Sequence, residues 1–286
     1  MTPSAYDIFR PERLSTSVVF ASPHSGCDYP EDLLARTMLD MRQVRSSEDA
    51  FVDRLFAPAV AQGAPMISAR VPRAYVDLNR AADELDPAVI EGVRRRGHNP
   101  RISSGLGVIP RVVAGGRPIY QGKLTLQEAE ARLARCWHPY HEALRGLLAE
   151  AHRGFGEAIL IDCHSMPHEA LDSVRRNSRR RPDVVIGDRF GASAGAELVE
   201  RIEAAFTAAG LSVIRNAPFA GAYVAQHYGR PARGQHAVQV EIDRALYMDE
   251  ARIEPRADFA EFAALIGGVV AELAELGRGQ LPLAAE

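Results

Sequence analysis

The chain has 286 residues, 47% of them hydrophobic, with 34 Lys and Arg against 37 Asp and Glu for a net charge of −3. This is an ordinary globular composition, and a mildly acidic balance gives no general electrostatic reason to bind nucleic acid or an anionic membrane. The three cysteines, Cys27, Cys136 and Cys163, fit neither a disulfide framework nor a CxxC site and suit a reducing cytoplasm.

No basic patch followed by an apolar segment marks a signal peptide at the start, and no apolar stretch approaches the roughly 20 residues that span a bilayer. The expectation is a cytoplasmic protein. Short β-rich runs alternate with helical patterns along its length. "SVVFAS" (17–22) reads as a strand and "EDAFVDRLFAPAVAQG" (48–63) as a helix ended by Gly63. "MISARV" (66–71) is a second strand. Residues 93–122 are rich in Gly and Pro and longer than most loops, which points to a functional or mobile segment. "TLQEAEARLARCWHPYHEALRGLLAEAHR" (125–153) is a long helical pattern. Thr125 and Glu128 form its capping box, and Pro139 kinks or breaks it.

"AILID" (158–162), "DVVIGD" (183–188), "LSVIRN" (211–216) and "HAVQVEID" (236–243) are further strands. The basic run "RRNSRRRPD" (175–183) reads as a solvated loop. Residues 193–210 form a helix stopped by Gly210, and "FAALIGGVVAELAEL" is an amphipathic terminal helix. Strand–helix alternation without repeats or linkers predicts one α/β domain over residues 1–286, its sheet covered on both faces.

Four polar groups fall at or just past predicted strand ends: His24 in "ASPHSG", Asp77, Asn79 and Arg80 in "DLNR" after "AYV", His164 in "DCHS", and Glu241 in "VEIDR". Ligands of open α/β sheets collect at the carboxyl ends of strands. A hydrolytic zinc site needs three protein ligands and an open position, commonly two His and a carboxylate. His24 and His164 can supply the nitrogens, and Glu48, Asp49 or Asp53 the oxygen. Asp49 and Asp53, four apart, would share a helical face. Asp162, two residues before His164, lies on the same side of a strand and either orients that imidazole or caps a turn. Glu241, in an apolar run, is either a general base or half of a buried ion pair with an arginine such as Arg244. Arg80, beside Asn79, suits a substrate carboxylate or a polarised carbonyl, and Arg111 in "GVIPR" is a second candidate. A rival chemistry would use Cys163 or Ser165 as nucleophile, but His164 is adjacent to both and badly placed as their base.

The ordered set "SPHSG", "EDAFVDRLF", "VDLNR", "GLGVIPR", "HPYHEAL", "DCHSMP", "DVVIGDRFG" and "QVEIDRALYMDE" resembles the N-formylglutamate amidohydrolase family, related in fold to zinc carboxypeptidases. The resemblance implies a three-layer α/β/α sandwich with a mixed central sheet, phosphorylase/hydrolase-like, and one catalytic Zn2+. It implies His24 and His164 as ligands, an acidic ligand from Glu48–Asp49 with Asp49 preferred, and Glu241 as base. Asn79, Arg80, Arg111 and Arg244 would contact the substrate, with Arg80 at the oxyanion and Arg111 or Arg244 at a carboxylate. Zinc carboxypeptidases carry their acidic ligand three residues after the first His, where this chain has Cys27. The implied substrate is a small N-acyl amino acid, N-formyl-L-glutamate, hydrolysed to formate and L-glutamate at the end of a histidine-degradation route.

Overall fold

The computed structural model describes residues 4–94, 97, 99–172 and 181–278. Most of the basic run at 175–183 lies outside them. Seven strands form one sheet: β1 (Tyr6–Phe9), β2 (Val18–Ser22), β3 (Met66–Ala69), β4 (Ala158–Met166), β5 (Val184–Gly187), β6 (Val213–Arg215) and β7 (Gln235–Asp243), in the order β1-β3-β2-β4-β7-β5-β6. β2, β4 and β7 run parallel, whereas β5 is antiparallel to β7 and parallel to β6, so the sheet is mixed. Every residue of β2, β3, β4 and β5 is buried. Strands buried on both faces must be covered on both, which is why these segments read as nearly continuous apolar runs.

By its contacts the chain divides into two compact units: Met1–Asp7, Pro23–Ala50 and Ser68–Ala143 in the first, and Ile8–Ser22, Phe51–Ile67 and Leu144–Glu286 in the second. In the second, the helix Phe259–Leu276 touches β2 and the helices Val52–Phe56 and Ala196–Ala208. Its buried residues Ile266, Val269, Val270, Leu273 and Ala274 follow the i, i+3, i+4, i+7, i+8 spacing of one helical face. Each large apolar side chain so buried stabilises the fold by roughly 1.5–3 kcal/mol. Gly210, with φ +84°, closes the Ala196–Ala208 helix as its position predicts.

Several elements differ from the sequence reading. The helix expected over 48–63 is only Val52–Phe56 followed by a 3-10 turn at Ala57–Ala59. Phe51 takes a left-handed conformation (φ 67°) and stops helical backbone from reaching Asp49, while Pro58 ends regular α geometry. Asp49 and Asp53 therefore do not share a helical face.

The capping box of Thr125 and Glu128 forms as expected, but the long helix is interrupted by a π-turn at Leu133–Trp137 before it resumes as His138–Phe155. Pro139 explains the break, because its ring clashes with the carbonyl four residues back, at Arg135. The "AYV" segment is a series of turns, not a strand. β4 continues past Asp162 to Met166, since β7 offers it a partner along its whole length. The 93–122 segment is packed where described: Val108, Ile109 and Ile119 are fully buried, and Val108 donates its N–H to the Glu84 carbonyl at 2.9 Å. A Cβ at Gly107 would lie 2.5 Å from that carbonyl oxygen, so the close approach requires glycine.

Candidate active site

In the first unit the site is organised around His24. The residue follows β2 by two positions and is buried. Its Nε2 lies 2.8 Å from Asp77 Oδ1 and its Nδ1 3.4 Å from Asp49 Oδ2. The Asp49 N–H donates to the His24 carbonyl at 3.0 Å, which fixes the carboxylate beside the ring. Asp77 Oδ1 also accepts the Asn79 N–H at 2.9 Å, and Oδ2 accepts Arg73 Nη2 at 2.9 Å. Burial alone would raise the Asp77 carboxyl, but Arg73, His24 and Arg80 outweigh it and hold the group well below the usual carboxylate range.

Glu48, the neighbouring carboxylate, is turned elsewhere. It accepts Arg45 Nε at 3.0 Å and Nη2 at 3.1 Å, and the Tyr29 hydroxyl at 2.6 Å. Burial and then the Glu48 charge push the Tyr29 phenol above its ordinary value. Of the two adjacent acids, Asp49 is the one that faces His24.

In the second unit the parallel register of β4 and β7 builds a polar face. Asp162 pairs with Gln239 and His164 with Glu241. Residues two apart share a side of a strand, and directly paired residues point the same way. All four side chains are buried. His164 Nε2 lies 3.1 Å from Asp162 Oδ2, on the shared side of the strand that their spacing anticipates. Gln239 Nε2 donates to Glu241 Oε1 at 2.9 Å.

His24 and Asp49 in the first unit and His164 in the second are all buried and all of metal-ligand type. The donor chemistry also fits: two imidazoles, each with a carboxylate on its Nε2, plus one carboxylate oxygen. A thiol mechanism is disfavoured. Cys163 is fully buried, and burial followed by the Asp162 charge raises its thiol well above the ordinary value.

A sequence model described as N-formylglutamate amidohydrolase matches residues 16–248 of the chain. The chain belongs to the N-formylglutamate amidohydrolase family. It is 33% identical over 253 residues to the N-formylglutamate deformylase of Pseudomonas aeruginosa, covering 85% of this chain and 87% of that protein. It is 30% identical over 240 residues to the Pseudomonas putida N-formylglutamate deformylase, covering 82% of each. The crystal structure of N-formylglutamate amidohydrolase from Ralstonia eutropha JMP134 superposes with a TM-score of 0.90 at 33% identity, over 96% of this chain and 99% of that one.

In this member of the N-formylglutamate amidohydrolase family the expected arginines have different surroundings. Arg80 is buried, and its Nε and Nη1 donate to the carbonyls of Leu106 and Asn79 at 3.0 Å each. Burial pulls its guanidinium below the ordinary arginine value. Trp137 Nε1 donates to the Arg80 carbonyl at 2.9 Å, and the His141 ring contacts the Leu78 carbonyl at 2.9 Å, so the turn carrying Asp77, Asn79 and Arg80 is held from the Leu133–Phe155 region. Arg111 pairs with Asp86 through a 3.0 Å contact. Arg244 is buried and donates to Ser165 Oγ at 3.2 Å. The sequence reading did not single out Gln239, and it gave Asp77 no role beyond its place in "DLNR".

Proposed function

We propose that the protein is a zinc-dependent hydrolase that removes the formyl group from N-formyl-L-glutamate, giving formate and L-glutamate. The observation that carries this reading is the His24–Asp49 contact in the first unit together with the register in the second that pairs His164 with Glu241 across β4 and β7. The names of the two Pseudomonas relatives support the choice of substrate. His24 and His164 would hold the ion through Nδ1, since their Nε2 atoms face Asp77 and Asp162, and Asp49 would supply the oxygen. A bound zinc would acidify the attacking water and polarise the formyl carbonyl.

The chain's own groups do the rest. Glu241 takes a proton from the attacking water as oxygen adds to the formyl carbon. As the C–N bond breaks, it returns that proton to the departing amine, so one carboxylate serves as base and then as acid. Arg80, with two of its donors already spent on carbonyls, presents its remaining edge to the developing oxyanion. Asn79 lies beside it. Arg244 and Arg111 are the groups for the substrate carboxylates, Arg111 after sharing its charge with Asp86.

None of the described helices is long and apolar enough to cross a membrane. We place the reaction in a cytoplasmic, catabolic setting, as the last step of a histidine-degradation route. The test is metal content of the purified protein measured together with formate release from N-formylglutamate. About one zinc per chain and chelator-sensitive release are expected. Zinc without release would move the substrate to another N-acyl amino acid, and metal-independent release would reject the scheme.

A further inference from the structure

Gln239 is 3% exposed and sits on the same face of β7 as Glu241, two residues before it. The orientation of its amide follows from its partners. The Ala222 N–H donates to Oε1 at 3.1 Å, so the NH2 end is the one that meets Glu241 Oε1 at 2.9 Å. A buried amide that accepts from backbone and donates to a carboxylate has little freedom to rotate.

The backbone behind it is equally constrained. Gly187, at the end of β5, pairs with Gln239 in antiparallel register. A Cβ at Gly187 would lie 2.6 Å from the Gly221 nitrogen and 2.7 Å from the Ala220 carbonyl carbon, so backbone rests on backbone there. Arg189 donates its N–H to the Ala220 carbonyl at 2.8 Å and its Nη1 to the Gly221 carbonyl at 3.2 Å. Asp188 and Asn216 bond reciprocally, at 3.1 Å from the Asp188 N–H and 2.6 Å from Asn216 Nδ2. Arg189, Phe190 and Asn216 all have positive φ (54°, 57° and 60°), a region that residues with side chains rarely occupy. Such backbone persists only where its surroundings over-determine it.

We propose that Gln239 is a positioning residue for Glu241: it transmits the fixed position of the Ala220–Ala222 segment to the carboxylate and sets the carboxylate plane. The proposal rests on the reading of Glu241 as the base. It explains why a strained, tightly bonded pair of loops stands behind the second strand of the site. A misplaced proton acceptor loses rate, whereas substrate contacts made by other groups persist.

The test uses the full-length, zinc-reconstituted protein with Gln239→Met, which keeps the volume and removes both polar ends, and Gln239→Asn, which keeps both polar ends but is one methylene too short to reach Glu241 and the Ala222 N–H together. Both variants are expected to lose kcat by roughly 100-fold, with KM and zinc stoichiometry within about 3-fold of the unchanged protein. Cooperative thermal unfolding and full zinc content in both variants separate positioning from folding. A kcat within about 3-fold in either variant overturns the proposal, and so does a loss carried by KM or zinc content. Glu241→Gln is measured in parallel. If that variant stays active, it is the reading of Glu241 that has failed. If it is inactive while the Gln239 variants are not, the positioning role alone has failed.

Discussion

Glu241 on β7 stands directly across from His164 on β4, in a parallel register that runs unbroken from Ala158↔Gln235 to Met166↔Asp243. The pairing puts a carboxylate and an imidazole on one face of two adjacent strands, where each is fixed by the ladder and not by a loop.

That relationship predicts a separation of chemistry from metal binding at Glu241. Glu241→Gln keeps the shape and can still accept from Gln239, but cannot carry a proton. General acid–base catalysis contributes about 10²–10⁴-fold, and here one group does both halves. Formate release should fall at least ~100-fold while zinc content stays near that of the unchanged protein. Parallel assays of formate and metal settle it, and a variant of near-full activity would remove Glu241 from the mechanism.

The adjacent acids Glu48 and Asp49 should respond in opposite ways. Asp49→Asn removes an anionic donor facing His24 and should abolish stoichiometric zinc. Glu48→Gln breaks the contacts to Arg45 and Tyr29 and should leave zinc bound. Its expected effect is on stability, ~1.5–3 kcal/mol, the range for hydrogen bonds to a charged group. Elemental analysis and thermal unfolding of the two variants read this directly. Zinc lost from Glu48→Gln and kept in Asp49→Asn would reverse the assignment.

Much of this arrangement was legible in the chain, and the parts that were not have identifiable causes. "VQVEID" alternates strictly, so a buried polar face carrying Gln239, Glu241 and Asp243 could be read from its period of two. Gln239 gives no local signal of its own, because its backbone partner is Ala222, 17 residues away. Asp162 and His164 showed their shared side through spacing alone. Local propensity favours helix from Glu48 onward, yet the helix begins only at Val52. A tertiary cluster wins instead: the Phe51 ring meets Phe259 edge-on at 6.1 Å, and the Arg54 guanidinium lies over both rings. No local pattern reveals a φ of 67° at a phenylalanine.

Cys163 offers a clean discrimination between reaction classes. Its thiol is fully buried, raised well above its ordinary value, and donates to the Ile161 carbonyl at 3.4 Å. Cys163→Ala should cost about 1 kcal/mol of stability through a small cavity and leave kcat within ~3-fold. Loss of all turnover with normal folding would reinstate a thiol nucleophile.

Asp77 connects the metal reading to pH. Its Oδ1 contacts His24 Nε2, and such partners of ligating histidines are worth about 10–100-fold in metal affinity. Asp77→Asn should weaken zinc by that factor in a chelator competition, and an unchanged dissociation constant would deny Asp77 the orienting role. The sign of the stability effect follows from linkage. The folded carboxyl lies well below its ordinary value of 3.8, so its contribution is fully present above that pH and is lost only as pH falls through the folded value. Unfolding measured from pH 7 downward should show no loss from Asp77 until below about 4, the unfolded value. In Asp77→Asn that part of the acid dependence should vanish, leaving the chain less stable at neutral pH and flatter in its response to acid.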